Sequence, residues 1–276
     1  MRKLNRGVAV VGTGMSHFGS FPEKTTRDLF VEAFQDMRAS VDRGLDPNDI
    51  EAIYIGNYSS DLFEGQGHTA PIMADWVGLA PRPATRVEDA CASGGVALRQ
   101  GILAVASGLY DVVLVGGIEK MSNLPISGVT DALATAGDVS FEIPAGFTFP
   151  GFYAAMATAY MHRYGMTPEH LMNVAIKNHE NGALNPKAQF GVTIPNWMQG
   201  RVDAALRKGR PAPAWGSVVR TRCSRFGAAS LANVASVRPG PISMRTDAPS
   251  RATCSRDPRS CSWHGRKRRK GGSPRR

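Results

Sequence analysis

Val87–Ser122 reads VEDACASGGVALRQGILAVASGLYDVVLVGGIEKMS. Within it, Asp111–Gly117 (DVVLVGG) is a short continuous apolar run, the pattern of a parallel strand buried on both faces. Ahead of it, Cys91–Ser107 carries Ala, Gly, Val, Leu and Ile on nearly every side. A helix that is apolar all round is enclosed by other elements. Gly94 and Gly95 lower its propensity, so close approach of a neighbouring backbone is the simplest reason for them. A strand-like run ends near Glu88, which puts Cys91 at the junction of strand and helix. A helix N-terminus has partial positive charge and free N–H groups. These ease ionisation of a thiol and are able to stabilise an oxyanion. A free cysteine there is also commonly a small buried core residue, and on placement alone that reading is the stronger.

The residues before this stretch repeat its rhythm. Gly7–Gly12 (GVAVVG) and Ala52–Gly56 (AIYIG) read as buried strands. Between them, Thr25–Val41 has Leu29, Phe30, Ala33, Phe34, Met37 and Val41 at helical spacing, with Thr25 and Asp28 placed as a capping box. Strand, helix, strand in this order predicts an α/β chain with a parallel sheet. Further on, Thr167 is placed as an N-cap and Pro168 as the first residue of a helix ending near Gly182. His179 and Asn185, in KNHENGALNP, suit either a substrate channel or a structural loop. Phe147, Phe149, Phe152 and Tyr153 suit an acyl-arm cover, but read better as a local core.

The 276 residues carry a formal charge of +10, and a soft prior of roughly 150 residues per domain suggests about two domains. The charge is uneven. Residues 1–216 hold 18 Lys+Arg against 21 Asp+Glu, whereas 217–276 hold 15 against 2. The mildly acidic body gives no support to a specific nucleic-acid partner. RKRRK at Arg266–Lys270 reads as a solvated tail whose binding would be non-specific and weakened by salt. No run of 18 apolar residues predicts a membrane span, and the apolar part of the opening is too short for a signal peptide. Cys91 stands alone in the body, which argues against a disulfide framework and for a cytoplasmic protein. VGTGMSHFG places His17 where a dinucleotide fingerprint needs its third glycine. Cys223, Cys254, Cys261 and His264 lack the paired spacing of a zinc site, so neither a metal nor a cofactor is expected.

Cys91, Ser93 and Gly94, then Gly116, Gly117, Glu119, Met121 and Ser122, resemble the nucleophile segment of thiolases. The likeness is to the archaeal and sterol-carrier-protein-X type of acetyl-CoA acetyltransferase. VAVVGTGMSHFG and Gly146–Phe190 are similar to the same proteins, so the resemblance covers roughly residues 1–200. It implies a layered α/β fold of two similar halves with a loop domain inserted after the first. Here that means a first βαβαβ half over 1–120, a loop domain over 121–215 and a low-order basic tail over 216–276. It implies that Cys91 accepts an acyl group from acyl-CoA, and that acetyl-CoA then attacks to give a 3-oxoacyl-CoA, or the reverse. CoA thioesters are the substrates. A homo-oligomer and a small zinc-ribbon/OB-fold partner protein are further implications. A thiolase-like aldolase on a steroid side-chain CoA ester, or a non-catalytic acyl-CoA or lipid binder, are the alternatives.

The sequence departs from that family beyond residue 200. The second half should supply a His in Gly-His-Pro, a Cys in Cys-x-Gly and an Asn or His in a short loop motif. None of these occurs. Ser217–Arg276 has 13 Arg, 10 Ser, two aromatics and no Glu, a composition that predicts disorder. It reads as a frame shift near residues 210–222, leaving a chain that is incomplete as a catalyst. Apolar helix faces left uncovered by a missing half predict poor solubility.

Overall fold

The computed structural model describes residues 6–191 and the backbone of Ser230–Gly240. Strands β1 (Gly7–Met15), β2 (Ala52–Gly56), β3 (Ala84–Val87), β4 (Val113–Lys120) and β5 (Ser230–Gly240) form one sheet in the order β1-β5-β4-β2-β3. β3, β2 and β4 are mutually parallel, and β5 runs antiparallel between β4 and β1. The sheet is therefore mixed, not the purely parallel layer that the strand–helix rhythm implies. The cause is a strand from far along the chain, which local periodicity has no means of showing. β5 also falls in the stretch read as a low-order tail; the rest of that tail, with Cys223, Cys254, Cys261, His264 and RKRRK, lies outside the described residues.

Helix α1 (Thr26–Ala39) begins where its capping box predicts. The Thr25 hydroxyl accepts from the Asp28 N–H at 3.3 Å, and the Asp28 carboxylate accepts from the Thr25 N–H at 2.7 Å. Its apolar stripe (Leu29, Phe30, Ala33, Phe34, Met37) is fully buried against Ile53, Ile55, Leu114 and Ile118; after the short α2 (Ser60–Glu64), α3 (Thr69–Trp76) lies alongside through Ala70, Met73 and Ala74. Each such large side chain contributes about 1.5–3 kcal/mol by leaving water. The alternate residues Ala52, Val113 and Val115 meet Ala97, Ala104 and Val105 of α4 (Ser93–Ser107) on the other face. Side chains that alternate across β2 and β4 thus hold a helix–sheet–helix sandwich, as double-sided burial of those runs predicts.

Helix α4 is only half enclosed. Ala97, Gly101, Ala104 and Val105 face the sheet, while Gly94, Gly95, Leu98 and Arg99 are exposed. The expectation of burial all round is corrected on that face, because no described residue covers it. The reason given for Gly94 and Gly95 is corrected too, since a Cβ added at either would meet nothing within 4 Å. Close approach holds instead at Gly101, where a Cβ would lie 2.4 Å from Val115 Cγ2.

Beyond β4 come α5 (Ile126–Ala134), α6 (Phe149–Tyr164) and α7 (Pro168–Ala183). α7 starts at the predicted Thr167 cap, with the Thr167 N–H donating to His170 Nδ1 at 3.0 Å. α6 buries none of its residues, so Phe149, Phe152 and Tyr153 are not a local core among the described residues. Their rings meet one another instead: Phe147 stacks on Phe152 with centroids 5.0 Å apart, Phe149 meets Phe152 edge-on at 6.0 Å, and Tyr153 lies tilted to Phe149 at 6.4 Å. No helix among the described residues is long and apolar enough to cross a membrane.

Candidate active site

The parallel strands β2, β3 and β4 end on the same edge of the sheet, where open α/β sheets hold their ligands. Cys91 follows β3 by four residues, in a single 3-10 turn (Ala90–Ala92) that precedes α4. The turn is sharp. Ala90 has φ +44, a left-handed conformation that costs a side-chain-bearing residue about 1–3 kcal/mol. The neighbouring side chains hold it there. The Ser93 hydroxyl accepts the Asp89 N–H at 2.9 Å and donates to the Ala90 carbonyl at 2.7 Å. The Glu88 carboxylate accepts the Ala90 N–H at 2.5 Å. The result is a thiol presented outward: Cys91 is exposed, against the reading of it as a small core cysteine. No side chain caps α4; its first N–H, that of Ser93, bonds back to the Ala90 carbonyl of the preceding 3-10 turn.

Cys91 lies in a cleft of about 900 Å³. Its floor is the meeting of three glycine-bearing segments, and Gly56 is the tightest point. A Cβ there would lie 2.6 Å from the Ser93 carbonyl carbon and oxygen and 2.7 Å from the Gly94 nitrogen. Gly117 of β4 sits over the same place, its virtual Cβ 3.7 Å from Gly56 O and 3.9 Å from Gly94 Cα. One wall consists of Asn57, Tyr58, Glu119, Met121 and Leu133. The opposite rim is Met15, Asp36 and Lys187. Lys187 donates to the Met15 carbonyl at 2.7 Å and pairs with Asp36 at 2.6 Å, which fastens the loop after α7 to β1. Hydrogen bonds from Lys187 and from the Met15 N–H hold the Asp36 carboxyl below the usual carboxylate range.

Glu119 lies deeper. Burial pushes its carboxyl up, opposed by N–H bonds from Tyr58 at 2.8 Å and Ser59 at 3.3 Å and by the charge of Arg86. Asn57 is 1% exposed, and its Nδ2 donates to Ser60 Oγ, the Ile118 carbonyl and Glu119 Oε1. The Ile118 carbonyl is acceptor-only, so it fixes which end of the Asn57 amide faces it.

The structure thus brings Cys91 together with Gly94, Gly116, Gly117, Glu119 and Met121 from the recognised segment. His179 and Asn185 are not among the cleft residues. His179 lies against Phe190, with ring centroids 5.9 Å apart, and Asn185 Oδ1 accepts the Lys187 N–H in a local turn. Phe147, Phe149, Phe152 and Tyr153 also lie outside the cleft. The described cleft residues include no histidine, no second cysteine and no group of metal ligands. Asn57, Tyr58 and Lys187 are additions that the sequence reading lacks. The first two directly follow a buried parallel strand, which is the signal that points to them.

Solved structures share this architecture. The Ltp2-ChsH2(DUF35) aldolase aligns with a TM-score of 0.59 at 22% identity, covering 86% of this chain and 56% of that one. Human mitochondrial 3-ketoacyl-CoA thiolase in complex with CoA aligns with a TM-score of 0.56 at 16% identity, covering 86% and 65%. At such identities the likeness defines the class as a thiolase-like fold. The family described as thiolase, N-terminal domain, matches residues 8–208, and the chain belongs to it. Acetyl-CoA acetyltransferase of Methanothermobacter thermautotrophicus is 46% identical over 189 residues, 68% of this chain and 48% of that protein. The acetyl-CoA acetyltransferase of Methanocaldococcus jannaschii is 48% identical over 185 residues, 67% and 46%. The chain therefore spans about half the length of these curated relatives.

Proposed function

We propose that this chain is the acyl-accepting part of a thiolase-type acyl-CoA C-acyltransferase. The observation that carries this reading is the exposed Cys91 in its strained turn, lining a cleft of about 900 Å³. The Cys91 thiolate attacks the thioester carbonyl, the carbonyl oxygen becomes a transient oxyanion, and the CoA thiolate leaves and takes up a proton. The acyl group now rests on Cys91 as a thioester. Acetyl-CoA then gives its α-proton to a base and attacks that carbonyl through the α-carbon. This releases the 3-oxoacyl-CoA and returns the Cys91 thiol. Dividing one acyl transfer into two steps is the gain from covalent catalysis. The base and the thiol-activating group belong to the second half that the family resemblance implies.

In the same reading, residues 1–120 are the first α/β half, 121–215 the loop domain and 216–276 a tail translated out of frame. The working enzyme is a cytoplasmic homo-oligomer that uses CoA thioesters and needs no metal. A small partner protein is supported by one structural neighbour, the Ltp2-ChsH2(DUF35) aldolase, which joins Ltp2 to ChsH2(DUF35).

The test is incubation with acetyl-CoA followed by intact mass and peptide mapping. An acetyl group on the Cys91 peptide, absent from Cys91→Ala, is the expected result. No adduct, on this chain and on a chain with its downstream frame restored, overturns the acyl-enzyme reading in favour of an aldolase or a non-catalytic binder.

A further inference from the structure

The peptide Asn57–Ser59 is gripped from both sides. Glu119 of β4 accepts the Tyr58 N–H at 2.8 Å, the Ser59 N–H at 3.3 Å and Asn57 Nδ2 at 3.2 Å. Arg86 of β3 donates to the carbonyls of the same peptide, Nε to Asn57 O at 3.3 Å and Nη2 to Tyr58 O at 2.5 Å, and reaches Asp61 at 3.1 Å. A carboxylate takes the donors and a guanidinium takes the acceptors, so a connection that could adopt many conformations is held in one. Charged groups make the stronger hydrogen bonds.

The residue just before this grip is Gly56, which abuts the Ser93 carbonyl and the Gly94 nitrogen. Those atoms belong to the first turn of α4, directly after Cys91. On the other side of the peptide, the Tyr58 hydroxyl bonds Thr135 at 2.7 Å and the Ala132 carbonyl at 3.3 Å, so its ring stands in the cleft wall toward α5. From these contacts we infer that Glu119 and Arg86 are positioning residues. Together they clamp Gly56–Ser59, and through it set the place of the Cys91 turn and of the Tyr58 wall. This rests on the reading of Cys91 as the acyl acceptor. Neither residue touches the reacting atoms. Both act through backbone that backs onto the nucleophile turn, where small displacements are costly.

Glu119→Gln keeps the shape but turns one acceptor oxygen into an NH₂ group facing an N–H donor. Two measurements on the full chain test the clamp. The first is amide hydrogen exchange, expected to quicken at residues 57–59 and also at 91–95, with α1 protection unchanged. The second is Cys91 acetylation against acetyl-CoA concentration. The saturating rate should fall about tenfold while the half-saturating concentration moves far less, as for a misplaced nucleophile. Arg86→Lys, which keeps the charge and loses the fork, should reproduce both effects and stands in if Glu119→Gln does not fold. Faster exchange confined to 57–59, or an unchanged saturating rate, overturns the inference. So does a loss of protection that extends to α1, with rate and half-saturation falling together. If neither the wild-type chain nor its frame-restored form takes an acetyl group, the acyltransferase reading fails by itself, and the exchange pattern alone decides the clamp.

Discussion

Gly56→Ala is the sharpest perturbation of the coupling between the sheet and Cys91. The added Cβ would lie 2.6 Å from the Ser93 carbonyl and 2.7 Å from the Gly94 nitrogen. Carbon contacts are most favourable at about 3.5–4.0 Å, so relief needs a separation of about 1 Å between β2 and the start of α4. The three nearest atoms are all backbone, so no flexible side chain can swing away. Overpacking of this kind costs about 1–3 kcal/mol. The loss of glycine freedom in the unfolded chain offsets about 0.4–1 kcal/mol of that. A net destabilisation of about 1–2 kcal/mol, with a urea slope of about 2 kcal/mol per molar, lowers the unfolding midpoint by roughly 0.5–1 M. Displacing Cys91 by the same 1 Å should slow acetylation by about 10–100-fold. Gly95→Ala is the paired control for stability, because its Cβ meets nothing within 4 Å and α4 should gain about 0.5–1 kcal/mol. Equal urea midpoints for Gly56→Ala and wild type, with an unchanged acetylation rate, would refute the argument that Gly56 sets the cleft floor.

Other perturbations separate core, charge and chemistry. Phe34→Ala removes a side chain that is 1% exposed under the sheet and should cost about 3–5 kcal/mol by urea titration. Cys91→Ala should change stability by less than about 0.5 kcal/mol, since the thiol is exposed, while removing the acetyl adduct. The Asp36 carboxyl is held low by Lys187, so its contribution is present above the unfolded carboxylate range and lost as pH falls through the lower folded value. Asp36→Asn should therefore be less stable than wild type near neutrality, by under about 1 kcal/mol for so exposed a pair, and equal to it in acid. For the tail, the other two reading frames of the DNA downstream of codon 210 should encode Cys-x-Gly and Gly-His-Pro. Their absence from both frames ends the frame-shift proposal.

Signals confined to a few neighbouring residues were legible in the sequence. The Thr25–Asp28 box, the Thr167–Pro168 start and the apolar run of β2 each depend on residues within one turn or one strand, and each element begins where they place it. Burial of α4 was not legible, because its composition says that two faces are apolar and not whether both are covered. Glu119 was visible as part of a motif, but its role depends on Arg86, from β3, and on Asn57, just past the end of β2. The sheet order was hidden for the same reason. β5 pairs with β1 and β4 across more than a hundred residues of chain.

That strand has a consequence for how the chain assembles. β1 is bonded within the sheet to β5 and not to β4, so Gly7–Met15 wait for a strand that begins only at Ser230. Until Ser230–Gly240 has left the ribosome, β1 and β4 each present a bare edge, the kind of surface that recruits foreign strands. Meanwhile α1, packed on one face, and Arg6, bonded to the Val105 and Tyr110 carbonyls, are what tether the N-terminus. Closing so distant a ladder is entropically slow. Any chain that stops before residue 230 therefore leaves β1 and β4 without the strand that joins them.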